Sequence, residues 1–399
     1  MNHPATRYFT DTKPHYKLLD GLRGVAALMV VWYHVFEGFG FAGAVNGVSD
    51  GSITTFNHGY LAVDFFFLLS GFVISYAYDS TSGRLSLAGF FRRRLIRLHP
   101  MVVLGAIIGA ISFCIGGGTN WNGEAISWQN ILLALLLGML LIPTWPGAYH
   151  DVRGNGEMYP LNGPSWSLFF EYIGNIMYAL FIRRLSTKWL KCLTAVLSIC
   201  FATFAITNTS GYGSIGVGWT LDCVNFFGGL VRMLFPFTLG MVIHRSGYLC
   251  KSPAPKYTFI LCSALLFVIF SVPFLGAGEH FSINGIYETL CIAFIFPAIT
   301  ILATSSENVH NSTNSNTSSS TVGAMAKYLG DLSYPLYIVH YPVMYLFYKW
   351  LIETGHYTLG SCWSAVIIVL CTSIALAALC LKFYDVPLRR YLAQKANRT

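Results

Sequence analysis

Arg23 and His34 lie inside the first long apolar stretch of the chain, residues 18–39, where a membrane helix normally carries no ionisable group. At ~100° and ~1.5 Å per residue, the eleven steps between them turn through roughly 20° net and rise about 16 Å. The two side chains therefore share one face at different depths. Ionisable groups in such positions face a bundle interior or a wet cavity, which marks the pair as a functional site by default.

An imidazole titrates near neutral pH, so His34 is suited to take a proton from an attacking hydroxyl and return one to a leaving group. Glu171 or Asp64 is the expected orienting carboxylate. Direct attack and an acyl-histidine intermediate both remain open. Arginine forks make paired, charge-assisted hydrogen bonds to phosphates. Arg94 and Arg97, with Arg23 slightly deeper, thus suit a highly anionic donor such as an acyl-coenzyme A, whose pantetheine arm would carry a thioester inward.

The elements that must position these groups are membrane helices. The composition is 54% hydrophobic and only 11% charged over 399 residues. That excludes an ordinary soluble domain. Apolar runs recur at about 20–38, 58–78, 97–115, 165–184, 189–207, 224–243, 257–275, 286–304, 333–351 and 363–383. A further run at 130–145 is shorter. The expected fold is all-α, a single polytopic bundle over residues 1–399 with ten transmembrane helices and one re-entrant or interfacial helix.

Basic residues set the orientation. Arg7, Lys13, Lys17, the cluster Arg92, Arg93, Arg94 and Arg97, then Arg183, Arg184, Arg245, Lys251, Arg389 and Arg390 fall in alternate loops, while the opposite loops hold Arg153. Both termini are expected in the cytoplasm, at the bacterial inner membrane. A full crossing by 130–145 would put every later basic cluster outside. The same asymmetry accounts for the net charge of +8 without nucleic acid. In this topology Arg94 and Arg97 sit at the inner edge. His34, Asp64, Glu171 and Arg232 lie near or beyond the middle, and His340 lies somewhat toward the inner side.

The polar N-terminus and full-length first span show no cleavable signal peptide. The ten cysteines show no metal-ligand spacing and read as buried free thiols. The Ser-, Asn- and Thr-rich stretch 305–321 reads as a flexible cytoplasmic loop. His58, His99, His150 and His280 fall near span boundaries or in loops and are left outside the site.

Several separated motifs resemble the bacterial integral-membrane acyltransferase-3 family of O-acyltransferases. They are Asp20-Gly21-Leu22-Arg23-Gly24 followed by His34, the run Val63 to Phe72 containing Asp64, and Arg94-Leu95-Ile96-Arg97 with Pro100. Further along come Ser165-Trp166-Ser167-Leu168 with Glu171, Arg232 with Phe237 and Gly240, and Ser333 to His340. The resemblance covers nearly the whole chain. It implies an enzyme that moves an acyl group, often acetyl, from cytoplasmic acyl-coenzyme A to a hydroxyl of a carbohydrate or glycan, with the first-span arginine and histidine essential.

Within that frame His34, Glu171 and Arg23 are the expected catalytic residues, and Arg94, Arg97, Asp64, Arg232, Ser333, Tyr337 and His340 the substrate- or donor-binding ones. Asp64 and Glu171 as mere structural partners of arginines, Arg232 among them, remain an alternative. So do Ser333, Tyr337 and His340 as interhelical hydrogen-bonding residues. Some relatives carry an extracytoplasmic hydrolase-like domain. The chain is expected to complete transfer alone or with a separate extracytoplasmic partner, its other contacts being acyl-coenzyme A, the glycan and membrane lipid. A transporter of a glycan or lipid-linked intermediate is the alternative function, since polar residues in a bundle also line permeation paths.

Overall fold

A computed structural model of the chain describes residues 16–48, 57–79, 86–313 and 321–396. Its helices are α1 Lys17–Val45, α2 Ala62–Tyr78, α3 Leu87–Ile115, α4 Trp128–Met139, α5 Ser165–Leu180, α6 Thr187–Ile206 and α7 Cys223–Ser246. They continue with α8 Pro255–Ser271, α9 Ile283–Leu290, α10 Phe296–Thr313, α11 Thr321–Thr354, α12 Leu359–Cys380 and α13 Val386–Ala396. π-helical turns at Cys291–Ile295 and Leu381–Asp385 fuse α9 to α10 and α12 to α13. No strands occur among the described residues, only isolated bridges. Helices are the natural solution here, because they satisfy backbone groups within one segment and need no water to do so.

Helix starts are written locally. Ser86, Ser127, Ser186, Asp222 and Ser282 each accept a backbone N–H three residues on, capping α3, α4, α6, α7 and α9.

Among the described residues seven helices, fused pairs counted once, are long and apolar enough to cross a membrane: α1, α2 with its leading turn, α3, α6, α7, α9–α10 and α12–α13. α5 has 16 residues, α8 has 17, and the 34-residue α11 is rich in tyrosine. The expected ten is reached only by counting these three as well. Large apolar side chains such as Ile199, Phe267, Val268, Ile368 and Leu379 stand exposed around the outside, a pattern suited to lipid rather than water. The chain is a multi-pass membrane protein.

The core pairing is α1 on α11. The two run parallel: Gly21 meets Ala326, Gly24 meets Leu329, Gly38 meets Tyr348, and Asn46 Nδ2 donates to the Ile352 carbonyl at 2.9 Å. A Cβ on Gly24 would strike the Leu329 backbone, so the missing side chain sets the approach. α2 and α7 use the same device reciprocally, Gly71 against the Phe237 carbonyl and Gly240 against the Leu68 carbonyl.

α3 lies on the other side of α11 in the same direction, tied by Tyr334 Oη to the Leu98 carbonyl at 2.6 Å and Ser112 Oγ to the Pro342 carbonyl at 2.5 Å. α4 doubles back along α3, with Gly138 beside Ala106. The chain then returns, pairing Thr144 N with the Met158 carbonyl at 2.7 Å and Trp121 N with the Arg153 carbonyl at 3.1 Å. The ends of the segment 116–164 therefore meet near the C-terminus of α3. At 12 residues, about 18 Å, α4 is too short for a hydrocarbon core of ~30 Å.

Two expectations need correction. The stretch 305–321 is not a loop throughout: α10 continues to Thr313 and α11 begins at Thr321, with 314–320 outside the described residues. The helix persists because its polar side chains find partners. Ser305 Oγ accepts from Cys250 N at 3.0 Å, Ser306 Oγ donates to the Pro253 carbonyl at 2.8 Å, and Glu307 accepts from Leu18 N at 3.0 Å. The cysteines are unpaired, but only Cys262, Cys291, Cys362 and Cys380 are buried, the others facing outward.

Candidate active site

The parallel contact of α1 and α11 brings two histidines together. His34 and His340 have ring centroids 5.2 Å apart, tilted by 30°. His340 is therefore level with His34 rather than nearer the inner side, because register along the α1–α11 seam places residues some 306 positions apart side by side. His34 Nδ1 meets Glu37 Oε2 at 2.6 Å, one helical turn away on the same face. That carboxylate is itself held by Tyr348 Oη at 2.8 Å and Tyr341 Oη at 3.3 Å, with Tyr33 Oη at 3.5 Å from Oε1. The single Tyr348 hydroxyl proton is shared between Glu37 and the His34 carbonyl, also 2.8 Å away.

An ionised carboxylate only accepts, so the Glu37 contact puts the proton on His34 Nδ1 and leaves Nε2 its lone pair. His340 follows the same logic. Its Nδ1 faces the Leu336 carbonyl at 2.9 Å, and its buried Nε2 has no hydrogen-bond partner among the described residues.

The carboxylates expected to orient His34 are engaged elsewhere. Glu171 Oε1 accepts from Arg94 Nη2 at 2.6 Å and from Ser70 Oγ at 2.9 Å. Asp64 makes a two-point pair with Arg232, Nε to Oδ1 and Nη2 to Oδ2 both at 2.9 Å. Glu37 takes the role instead because α1 supplies it in register with His34, whereas Glu171 and Asp64 project from α5 and α2 onto arginines.

The Arg232 guanidinium also donates to the Val217 and Tyr60 carbonyls at 3.1 Å each and lies 5.1 Å from the Trp166 ring centroid. With Arg232 at 2% and Asp64 at 0% exposure, the pair is a buried clamp between α2 and α7.

Arg23 sits 3.6 Å from Asp20, in electrostatic range of Arg94, Arg97 and Glu171. The three arginines gather toward the N-terminal ends of α1 and α3, as expected. Arg94 is 5% exposed and its Nε has no hydrogen-bond partner among the described residues. Tyr337 Oη shares a hydrogen bond with Ser167 Oγ at 2.7 Å, joining α11 to α5, and Ser333 Oγ donates to the Gly330 carbonyl of its own helix at 2.7 Å.

His58 proves buried rather than solvated, its ring nitrogens 2.7 Å from the Val272 carbonyl and 2.8 Å from Asn284 Oδ1. Burial pushes its pKa below the usual imidazole range.

Glu37, Tyr341 and Tyr348 escaped the sequence reading. A signal was present: Glu37 follows His34 at the i+3 spacing, and the tyrosines are seven apart, two turns along one face of α11.

A family model described as an acyltransferase domain, that of the acyltransferase-3 family, matches residues 16–382. The chain belongs to this family and is an acyltransferase. Among its relatives, "Protein 2 in picA locus" of Rhizobium radiobacter is 34% identical over 190 residues, 46% of this chain and 90% of the relative. Acyltransferase MdmB of Streptomyces mycarofaciens is 28% identical over 86% of this chain and 80% of its own length. The peptidoglycan O-acetyltransferase OatA of Listeria monocytogenes serovar 1/2a is 25% identical over 97% of this chain and 57% of its own length. No solved structure matches.

Proposed function

We propose that the chain is an O-acyltransferase of the bacterial inner membrane that moves an acyl group, acetyl foremost, from cytoplasmic acyl-coenzyme A to a hydroxyl of a glycan acceptor. The observation that carries this reading is the His34–Glu37 contact, 2.6 Å long and braced by two tyrosines, at the seam of α1 and α11.

The donor's phosphates pair with Arg23, Arg94 and Arg97, and its thioester reaches toward His34. The acceptor hydroxyl gives its proton to His34 Nε2 while its oxygen attacks the thioester carbon. The carbon–sulfur bond breaks, the proton passes from Nε2 to the departing thiolate, and the products are an O-acyl ester and free coenzyme A. Glu37 holds the imidazole in its tautomer and stabilises the transient imidazolium. His340, with its own Nε2 lone pair beside His34, positions the acceptor hydroxyl.

Asp64 and Arg232 hold α2 on α7, Glu171 holds Arg94, and Ser333 and Tyr337 fix α11. A peptidoglycan O-acetyltransferase among the relatives supports a glycan acceptor. The distribution of basic loops supports cytoplasmic termini. The test is acyl-coenzyme A consumption by the purified protein with glycan present. His34→Ala should abolish it while leaving membrane insertion intact, and undiminished turnover would refute the assignment.

A further inference from the structure

Where α1, α3 and α11 all end, on the side away from the arginine cluster, the chain forms an open cavity of about 200 Å³. Phe113, Asn120, Trp121, Arg153, Tyr345 and Lys349 are among its lining residues. It exceeds the ~150 Å³ that suffices for a benzene ring, so a six-membered sugar ring fits the scale.

Its most unusual wall is Arg153. The residue is only 5% exposed, yet it has no carboxylate within salt-bridge distance among the described residues. Nε donates to the Pro160 carbonyl at 2.7 Å, and the guanidinium carbon lies 3.4 Å from the Tyr345 ring centroid and 5.0 Å from that of Trp121. Nη2 is buried without a hydrogen-bond partner among the described residues, and so is Trp121 Nε1. Two buried donors beside one cavity ask for an acceptor group, because a buried donor without a partner keeps its full desolvation penalty.

The nearby carboxylate, Glu157, is bonded instead to Tyr345 Oη and, at 2.8 Å, to Asn155 Nδ2. Its burial lifts its pKa to about 7, which weakens it as a counter-ion for Arg153. Lys349 adds a second cation at the rim, 3.3 Å from Thr119 Oγ1, with Glu353 3.9 Å away. The lining is thus aromatic and donor-rich, with two cations, Arg153 and Lys349, against one carboxylate, Glu353, which faces Lys349 rather than Arg153.

It is also joined to the proposed reaction centre. The Tyr345 ring lies 4.7 Å from that of Tyr341, which lies 4.7 Å from that of His34. Two tyrosine rings separate cavity from imidazole.

We infer that this cavity is an acceptor subsite for a carboxylate-bearing sugar ring, with Arg153 and Trp121 Nε1 donating to the carboxylate and ring oxygens and Lys349 guarding the entrance. The inference rests on the acyltransfer reading above and adds the charge and ring character of its acceptor. A neutral sugar would satisfy donors but leave the Arg153 charge uncompensated, and a flat hydrocarbon would leave both donors unmatched.

The test uses the full chain in detergent and measures binding of two probes, a uronic-acid-containing tetrasaccharide and maltotetraose, alongside acyl-coenzyme A turnover. The acidic probe should bind about tenfold tighter than the neutral one, the equivalent of about 1.4 kcal/mol. Arg153→Gln should erase that preference, Arg153→Lys should restore part of it, and His34→Ala should leave it intact. Lys349→Gln, at a partly exposed site, should halve the preference or more without any risk to the fold at Arg153. Equal binding of both probes by the unaltered chain, or an unchanged preference in both the Arg153→Gln and Lys349→Gln variants, would overturn the subsite. Absence of acyl-coenzyme A turnover in the unaltered chain, with the preference present, would instead sink the proposed reaction and leave the subsite standing.

Discussion

Glu37 Oε2 stands 2.6 Å from His34 Nδ1 and 2.8 Å from Tyr348 Oη, so one carboxylate oxygen links the imidazole of α1 to a hydroxyl of α11. The dyad is thereby locked to the helix that carries His340. Orientation of the His34 imidazole depends on packing between the two helices as well as on the local turn that carries it.

Glu37→Gln keeps the shape and removes the charge that fixes the tautomer. We expect turnover to fall by roughly 10²–10⁴-fold, the range seen when a base loses its orienting acid. Steady-state rates with acyl-coenzyme A measure it, and a rate within threefold of the parent would leave Glu37 only a structural part.

Tyr348→Phe removes one donor to Glu37 and the bond to the His34 carbonyl, while Tyr341→Phe removes the longer contact at 3.3 Å. Tyr348→Phe should therefore lower kcat more than Tyr341→Phe. A net hydrogen bond to a charged group is worth about 1.5–3 kcal/mol, which bounds the loss for Tyr348→Phe at roughly 10- to 150-fold. The opposite order would place Tyr341 rather than Tyr348 as the brace.

Asp64→Asn leaves Arg232 buried without its counter-charge. Removing one partner of a buried ion pair costs about 3–5 kcal/mol, so the variant should melt at markedly lower temperature in detergent. Whatever fraction stays folded should turn over with nearly the parental KM. A normal melting temperature with a collapsed rate would move Asp64 from scaffold to chemistry.

Glu157 titrates near 7 in the folded chain against an ordinary value of 4.5, its burial favouring the protonated form. Between those values the folded state binds the extra proton, so stability attributable to this group is present at low pH and declines as pH rises from about 4.5 to 7. Thermal melts across that window should show a downward slope that Glu157→Gln flattens. Parallel slopes in parent and variant would remove Glu157 as its source.

The helical character and most spans were legible in the sequence, because long apolar runs admit little else in a bilayer. Arg94 and Arg97 could be placed beside Arg23, since basic residues at span ends have few positions open to them. The partner of His34 was harder. Asp64 and Glu171 drew attention as carboxylates in strong motifs, yet Arg232 and Arg94 hold them, and only packing decides which cation each one meets.

Glu37 was readable from its spacing alone, had the helix face been followed one turn further. The level of His340 follows the seam with α1, which sets Gly21 against Ala326 and Gly24 against Leu329 and so His34 against His340, a register that apolar runs do not announce. The return path after α4 was legible only as charge bookkeeping. Its geometry depends on contacts such as Trp121 N to the Arg153 carbonyl, between residues whose pairing no periodicity announces.

The side-by-side course of α1 and α11 has a consequence for biogenesis. Tyr348 and His34 touch although they stand 314 positions apart in the chain. During synthesis the first helix must wait in the bilayer, its imidazole and carboxylate lacking their tyrosine lining, until the penultimate segments emerge from the ribosome. Such late closure makes the nascent first helix a candidate for chaperone or insertase protection, and truncation ahead of α11 should leave an inserted but inert chain that quality-control proteases remove.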